Sequence, residues 1–393
     1  MTKTKLFSSV ILIAAAIVAA FLIFSVKEPS VIDEVAEANE VLVFEITDPE
    51  PEEIVFRREE RTHIETPVSV RGIYMTSWVA GSPRLRDRVV DLIETTQINS
   101  VVIDIKDYTG HIAFDIDNKD LKKLGSFEKR VSDIEDFVQE LHDKGIYVIG
   151  RIVVFQDPQF AELWPKEAVQ NMEGEIWTDR RGVSWVDPSS SSLWEYIAIL
   201  SKEAHKMGFD EINYDYVRFP TDGDLSDIVY QLSGERLLEE DKADIIREFF
   251  TYLDKEVRSK GVPISADLFG LTTVANGDIG IGQILENISP FVDYISPMVY
   301  PSHFALGWNG YENPAEYPYE VIYETMISAR EKLIAIGEDP LKLRPWLQDF
   351  DLGASYGTTE VQAQIQAVYD AGLTSWMMWD PSNRYTKEAY EIN

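Results

Sequence analysis

The chain has 393 residues, and 36 Lys and Arg against 68 Asp and Glu leave a formal charge of −32. So acidic a protein lacks the cationic surface that neutralises phosphates, which excludes nucleic acid as a partner and disfavours charge-driven docking on anionic lipid. A hydrophobic content of 45% supports a large core, and the absence of cysteine removes disulfides, thiolate metal sites and cysteine nucleophiles.

In chain order, Lys3 and Lys5 precede an uncharged apolar run at residues 6–26. That run is long enough to span a bilayer as a helix and longer than the usual core of a signal peptide. Residues 1–27 therefore read as a cytoplasmic flank and a membrane anchor, with everything after Lys27 outside the cytoplasmic membrane. Cleavage near Ala19 and Ala20 would instead release a secreted protein. Residues 28–67 form a spacer rich in Asp, Glu and Pro, solvated and self-repelling, with a short strand conceivable at 41–46.

The remainder, 68–393, alternates short β-branched or aromatic runs with amphipathic stretches of helical length. Strands are expected at 70–77, 100–107, 147–155, 211–219, 263–270, 294–301, 343–350 and 374–380. Helices are expected at 85–96, 131–144, 190–207, 241–260, 317–337 and 359–371, several stopped by Gly145, Gly208, Gly261 or Gly372. Eight such units predict an α/β fold, a (β/α)8 TIM barrel. A doubly wound sheet fits less well, because no glycine-rich phosphate turn follows the first strand. The stretch 156–188 is too long for an ordinary loop and carries Trp164, Trp177 and Trp185. As an insertion after strand 3 it is either an aromatic lid for sugar rings or a small subdomain packed on itself.

Several motifs carry no chemistry. Gly353-Ala-Ser355-Tyr-Gly357 matches a nucleophile elbow, but no histidine follows it, so its glycines serve a tight turn. The five histidines form no zinc-binding pattern, and His142 and His205 read as ordinary surface residues. Chemistry in this barrel would have to run on carboxylates at the C-terminal ends of strands. Asn213 and Asp215 share one face of the fourth strand, with Arg218 beyond; Ser265 and Asp267 share one face of the fifth. Two carboxylates at matching height on neighbouring strands would flank one glycosidic bond. An Asp215–Arg218 pair tying the rim is the structural alternative. Asp104 and Lys106 share a face of the second strand, and Arg151, Gln156 and Asp157 stand at the third. Tyr300, Trp346, Gln348, Asp349, Trp376, Trp379 and Asp380 complete a rim of aromatic platforms and hydrogen-bonding groups suited to carbohydrate.

Arg71-Gly-Ile-Tyr74, Val102-Ile-Asp104-Ile-Lys106-Asp107, Gly150-Arg151 through Asp157, Tyr214-Asp215-Tyr216-Val-Arg218-Phe-Pro220, Ser265-Ala-Asp267-Leu-Phe-Gly270, Ser296-Pro-Met-Val-Tyr300 and Arg344-Pro-Trp346-Leu-Gln348 follow one another strand by strand. Together they resemble a family of bacterial glycoside-hydrolase-like TIM-barrel domains related to the α-amylase-like superfamily, over roughly residues 70–381. The resemblance implies a glycosidase with Asp215 as nucleophile of a retaining mechanism. The α-amylase-type acid on the fifth strand is a glutamate, whereas this chain has Asp267, so Asp349 and Asp380 stand in reserve for that role. The expectation is an extracytoplasmic, membrane-anchored glycosidase needing no cofactor, with Asp215 and Asp267 catalytic and Asp104, Arg218, Tyr300, Trp346, Gln348 and Trp379 holding the sugar. The alternatives are an inert glycan-binding barrel and metal-assisted hydrolysis by Asp104, Asp107, Asp215 and Asp267. A structural Ca2+ stays open, although no EF-hand-like loop is present.

Overall fold

The computed structural model describes residues 62–391. The expected anchor at 6–26 and the strand at 41–46 lie outside them; among the described residues no helix is long and apolar enough to cross a membrane. Eight parallel strands close into a barrel: β1 (Arg71–Met75), β2 (Ser100–Lys106), β3 (Tyr147–Val153), β4 (Glu211–Asp215), β5 (Ile264–Phe269), β6 (Tyr294–Met298), β7 (Trp346–Gln348) and β8 (Trp376–Trp379). Each pairs with the next, and β1 pairs with both β2 and β8, so the barrel has no free edge. All eight expected strands are present, and their order gives the predicted (β/α)8 topology.

Among the described residues six long helices pack outside: α1 (Pro83–Glu94), α2 (Ile134–Asp143), α3 (Ser191–Lys206), α4 (Lys242–Glu256), α5 (Pro318–Ala335) and α6 (Thr358–Asp370). Their apolar spacing drives the docking. In α2, Ile134, Phe137, Val138 and Leu141 recur at helical period and are buried, each contributing about 1.5–3 kcal/mol. Ser190 caps α3 by accepting a hydrogen bond from the Leu193 amide at 3.0 Å. Gly145, Gly208, Gly261 and Gly372 all adopt positive φ just past their helices, as expected of stop residues. After β5 and β8 only short turns of helix occur, where the sequence also lacks an amphipathic stretch.

Alternation along the strands divides the core in two. Val101, Ile103 and Ile105 of β2, and Ile212 of β4 with Ile264 and Leu268 of β5, belong to the large cluster that meets the helices. A second cluster comprises Val70, Tyr74, Val102, Tyr147, Ile149, Tyr300, Trp346 and Met377, from the opposite strand faces. The barrel interior is unusually polar, because the residues sharing that face include Asp104, Arg151, Glu211, Asn213, Asp215, Ser265, Asp267 and Arg344, all buried. At the N-terminal end, Arg344 donates to both oxygens of Glu211 at 3.0 Å and lies over the Tyr294 ring at 3.6 Å.

Gly150 of β3 marks a tight outward contact. A Cβ there would sit 2.3 Å from Cδ1 of Ile105 and 2.8 Å from Cδ1 of Phe209. Gly150→Ala should destabilise the barrel by about 1–3 kcal/mol through overpacking. Urea unfolding checks this, and an unchanged midpoint would show that the two side chains yield freely.

Segment 156–188 resolves the choice between lid and subdomain. Trp177 and Trp185 are buried, and Trp185 donates to Asp179 at 3.2 Å. Isolated bridges pair Ala168 with Val186 and Thr178 with Ser184. The insertion packs on itself, and these tryptophans are walls and supports rather than open sugar platforms. Gly353 has φ +72° and the Gly357 amide donates to Glu360 at the start of α6, so both glycines shape the turn around an exposed Ser355.

His142 and His205 depart from the expectation of ordinary surface residues. His142 bonds Asp210 at 3.0 Å with its side chain 5% exposed, and His205 stacks on His63 at 3.8 Å. Asp210 also accepts the Ile64 and Val148 amides, so this cluster ties the segment before β1 to the N-terminal end of the barrel.

Candidate active site

The register of β4 against β5 pairs Asn213 with Ser265 and Tyr214 with Ala266. Continued by one residue, it puts Asp215 level with Asp267 on adjacent parallel strands, where neighbouring backbones are about 4.8 Å apart. Both side chains are buried, and both line a cavity of about 610 Å3 at the C-terminal end of the barrel. Tyr216, immediately after Asp215, has φ +55°, in the left-handed region that a bulky residue adopts only under constraint. Its amide donates to Oδ1 of Asp215 at 2.6 Å, so the turn that ends β4 also holds the carboxylate.

The two aspartates have opposite surroundings. Oδ2 of Asp215 accepts from Nε and Nη2 of Arg151 at 3.1 and 2.6 Å. Nη1 of the same guanidinium donates to Asp104 at 2.6 Å, and Asp104 accepts the Tyr74 hydroxyl at 2.5 Å. Arg151 keeps its charge despite burial, because Asp215 and Asp104 bracket it. Burial pushes the Asp104 carboxyl above its ordinary value in spite of Arg151 and Tyr74. Among the described residues, Asp267 has no cation in contact. Its Oδ1 accepts neutral donors, Asn213 at 2.9 Å and the Trp346 indole at 2.8 Å. Burial, with the Asp215 charge adding to it, pushes the Asp267 carboxyl well above the ordinary carboxylate range. One carboxylate is paired with a cation and its neighbour is biased by burial toward the protonated form, the division of labour that acid–nucleophile chemistry needs.

Tyr300, Trp346, Trp379 and Arg218 line the same cavity, as do Arg151, Phe269 and His303. Trp379 stacks on Tyr74 at 3.9 Å and meets Trp346 edge-on at 5.5 Å, forming one aromatic wall. Burial pushes the His303 imidazole below its ordinary value, so it adds no charge at neutral pH.

Two expected sugar-binding residues sit elsewhere. Asp104 lies behind Arg151 and off the cavity lining, as its partner. Gln348 is fully buried; it accepts from Ser302 and donates to the Phe350 carbonyl, both at 2.8 Å, which fixes the loops after β6 and β7. The reserve acids are also occupied. Asp349 accepts from Thr386 and Tyr390, and Asp380 from the Ser382 and Arg384 amides.

The expected pairings change as well. A bulge shifts the β2–β3 register between Asp104 and Lys106, so Lys106 leaves the Asp104 side and pairs with Asp157 at 2.6 Å. Asp215 pairs with Arg151, not with Arg218. The four-aspartate cluster does not assemble either, because Asp107 turns to Arg130 at 2.6 Å while Arg151 occupies Asp104 and Asp215. Arg151 was visible as a lone cation in the apolar run of β3. Its role needed the knowledge that β2, β3 and β4 adjoin.

A closed parallel barrel presenting two buried carboxylates in unlike surroundings at its C-terminal end has the form of a glycoside hydrolase. The chain belongs to the family described as "Putative glycosyl hydrolase domain", whose model matches residues 72–385, and the expected enzyme class, a glycosidase, follows from that membership. Among solved structures, a hypothetical protein from Ruminiclostridium thermocellum is 33% identical, covering 50% of this chain and 96% of its own, with a TM-score of 0.45. The PgaB (BpsB) glycoside hydrolase domain of Bordetella bronchiseptica is 12% identical over 83% of this chain and 100% of its own, with a TM-score of 0.58. Alpha-L-fucosidase isoenzyme 2 of Paenibacillus thiaminolyticus is 12% identical over 82% of this chain and 48% of its own, at 0.55. These last two share the fold. No curated protein matches the chain.

Proposed function

We propose that the barrel hydrolyses O-glycosidic bonds of a poly- or oligosaccharide outside the cytoplasmic membrane, with Asp215 as nucleophile and Asp267 as acid/base. The observation that carries this reading is the level placement of Asp215 and Asp267 on adjoining strands, in opposite electrostatic settings, on one cavity. Asp267 donates its proton to the leaving oxygen as Asp215 attacks the anomeric carbon. The Asp267 carboxylate then takes a proton from the water that releases the sugar. Adjacent strands at equal height favour the short carboxyl separation, about 5–5.5 Å, that retention uses. Trp346 and Trp379 supply apolar faces for the ring. The location rests on the basic flank and apolar run of residues 1–27, which also supports membrane anchoring.

The test is reducing-end release from a panel of envelope and storage polysaccharides, followed by NMR of the first-formed anomer. Cleavage with retained configuration supports the assignment. An inverted product would remove the nucleophile role, and binding without cleavage of any glycan would leave an inert binding barrel.

The pH profile gives a second check. Asp267 acts while protonated, so kcat/KM should hold above the ordinary carboxylate range and fall as pH rises through its raised pKa. Stability runs the same way. The contribution of the bound proton is fully present below the unfolded value, about 3.9, and is lost as pH climbs through the folded one. A basic limb of kcat/KM already falling near pH 4 would take the acid role from Asp267.

A further inference from the structure

We propose that this cavity selects glycans bearing a carboxylate near the scissile bond, with Arg218 as the group that receives it; the inference rests on the glycosidase reading and names its substrate class. Arg218 lines the cavity at 7% exposure. Its guanidinium is 4.7 Å from the Phe269 ring centroid, 4.8 Å from that of Trp185 and 5.4 Å from that of Tyr216. These rings hold the guanidinium by cation–π contact and supply no counter-ion of their own. Nη1 donates to the Phe219 carbonyl at 3.0 Å and to the Thr221 hydroxyl at 3.1 Å.

Among the described residues no carboxylate forms an ion pair with Arg218. Among the described residues only Nη1 of Arg218 is hydrogen-bonded, which leaves Nε and Nη2 available. Acidic side chains outnumber basic ones almost two to one in this chain; Asp215, Asp222 and Asp179 act on Arg218 through space, but among the described residues none of them pairs with it directly. The other cavity arginine, Arg151, is saturated by two aspartates.

A buried cation without a counter-ion is costly, and burial indeed pushes the Arg218 guanidinium below its ordinary value. A ligand anion offsets that cost on binding. The open Nε–Nη2 edge is one of the two forks of a guanidinium that accept both oxygens of a planar carboxylate. The catalytic aspartates do not need this edge. Asp215 already has Arg151 and the Tyr216 amide, and Asp267 has Asn213 and Trp346.

The experiment measures binding by calorimetry at 0.15 M salt, where the Debye length of about 8 Å screens the overall negative charge. It uses the full chain silenced by Asp215→Asn. The probes are oligosaccharides of alginate and polygalacturonate and peptide-free glycan strands bearing lactyl carboxylates, each beside its carboxyl-reduced counterpart. Dextran sulfate beside dextran forms a further pair.

At least one acidic probe should bind about tenfold to a hundredfold tighter than its reduced form, the size of one charge-assisted bidentate contact. Arg218→Gln should erase the preference, and Arg218→Lys should keep part of it. Thermal melting verifies that both variants fold; should Arg218→Gln fail to fold, Arg218→Lys and the paired probes decide. Equal affinity within every pair, no binding at all, or a preference that survives Arg218→Gln overturns the inference. A preference for dextran sulfate alone overturns the carboxylate assignment. Turnover by the unmodified enzyme is scored separately. Cleavage without acid preference removes this inference and leaves the glycosidase standing, whereas acid preference without cleavage does the reverse.

Discussion

Asp215→Asn should lower kcat by about four to six orders of magnitude on any glycan the enzyme cleaves, the range seen when a covalent nucleophile is removed. The substitution keeps the shape and one acceptor oxygen, so the Tyr216 amide retains a partner and Arg151 retains Asp104. Binding should therefore survive while turnover does not. In Asp215→Ala, which opens the space the carboxylate filled, added azide should partly restore cleavage by attacking the anomeric carbon from the vacated side, giving a glycosyl azide of inverted configuration. A variant that keeps a tenth of its activity, or whose azide product has the substrate's configuration, would mean that Asp215 is not the attacking group.

Arg151→Met is expected to cost about 3–5 kcal/mol of stability, because it strips a buried cation from two buried carboxylates. Activity should fall with it, since Asp215 loses the two N–H groups that hold Oδ2. The sign of the pH dependence follows from linkage. Without the cation, the carboxyl of Asp104, already raised by burial, is pushed up further in the folded state. It folds as a neutral acid at low pH, and the deficit widens as pH rises. Adding Asp104→Asn should return part of the stability at neutral pH without returning activity. Urea unfolding of the single and double variants at pH 5 and pH 8 measures this, and a loss that shrinks with rising pH would contradict it.

The strands were legible because they are short β-branched or aromatic runs, four of them followed by a helix stopped at Gly145, Gly208, Gly261 or Gly372, and that local grammar survives in the folded barrel. Asp215 and Asp267 were legible for a related reason, since a carboxylate inside an apolar strand draws attention by its cost. The partners were not. The pairing of Arg151 with Asp215 depends on which strands adjoin, and the turn of Lys106 toward Asp157 depends on a bulge no residue announces. Gln348 and Asp349 have the composition of sugar ligands, but loops that the strand pattern does not position claim their hydrogen bonds. The tryptophans of 156–188 were ambiguous because stacking platforms and core fillers share one alphabet; Trp185 turned out to brace Arg218.

The seam between β1 and β8, where Arg71 meets Trp376 and Gly72 meets Met377, has a bearing on synthesis. About 300 residues must leave the ribosome before the first strand finds its second neighbour, and until then one of its edges stays unpaired. Such late, non-local closure slows folding and leaves a strand edge open to other chains. A chain stopped after Gly372 should therefore accumulate as aggregate rather than as a seven-stranded barrel, and sedimentation of that truncation against the full chain would measure it.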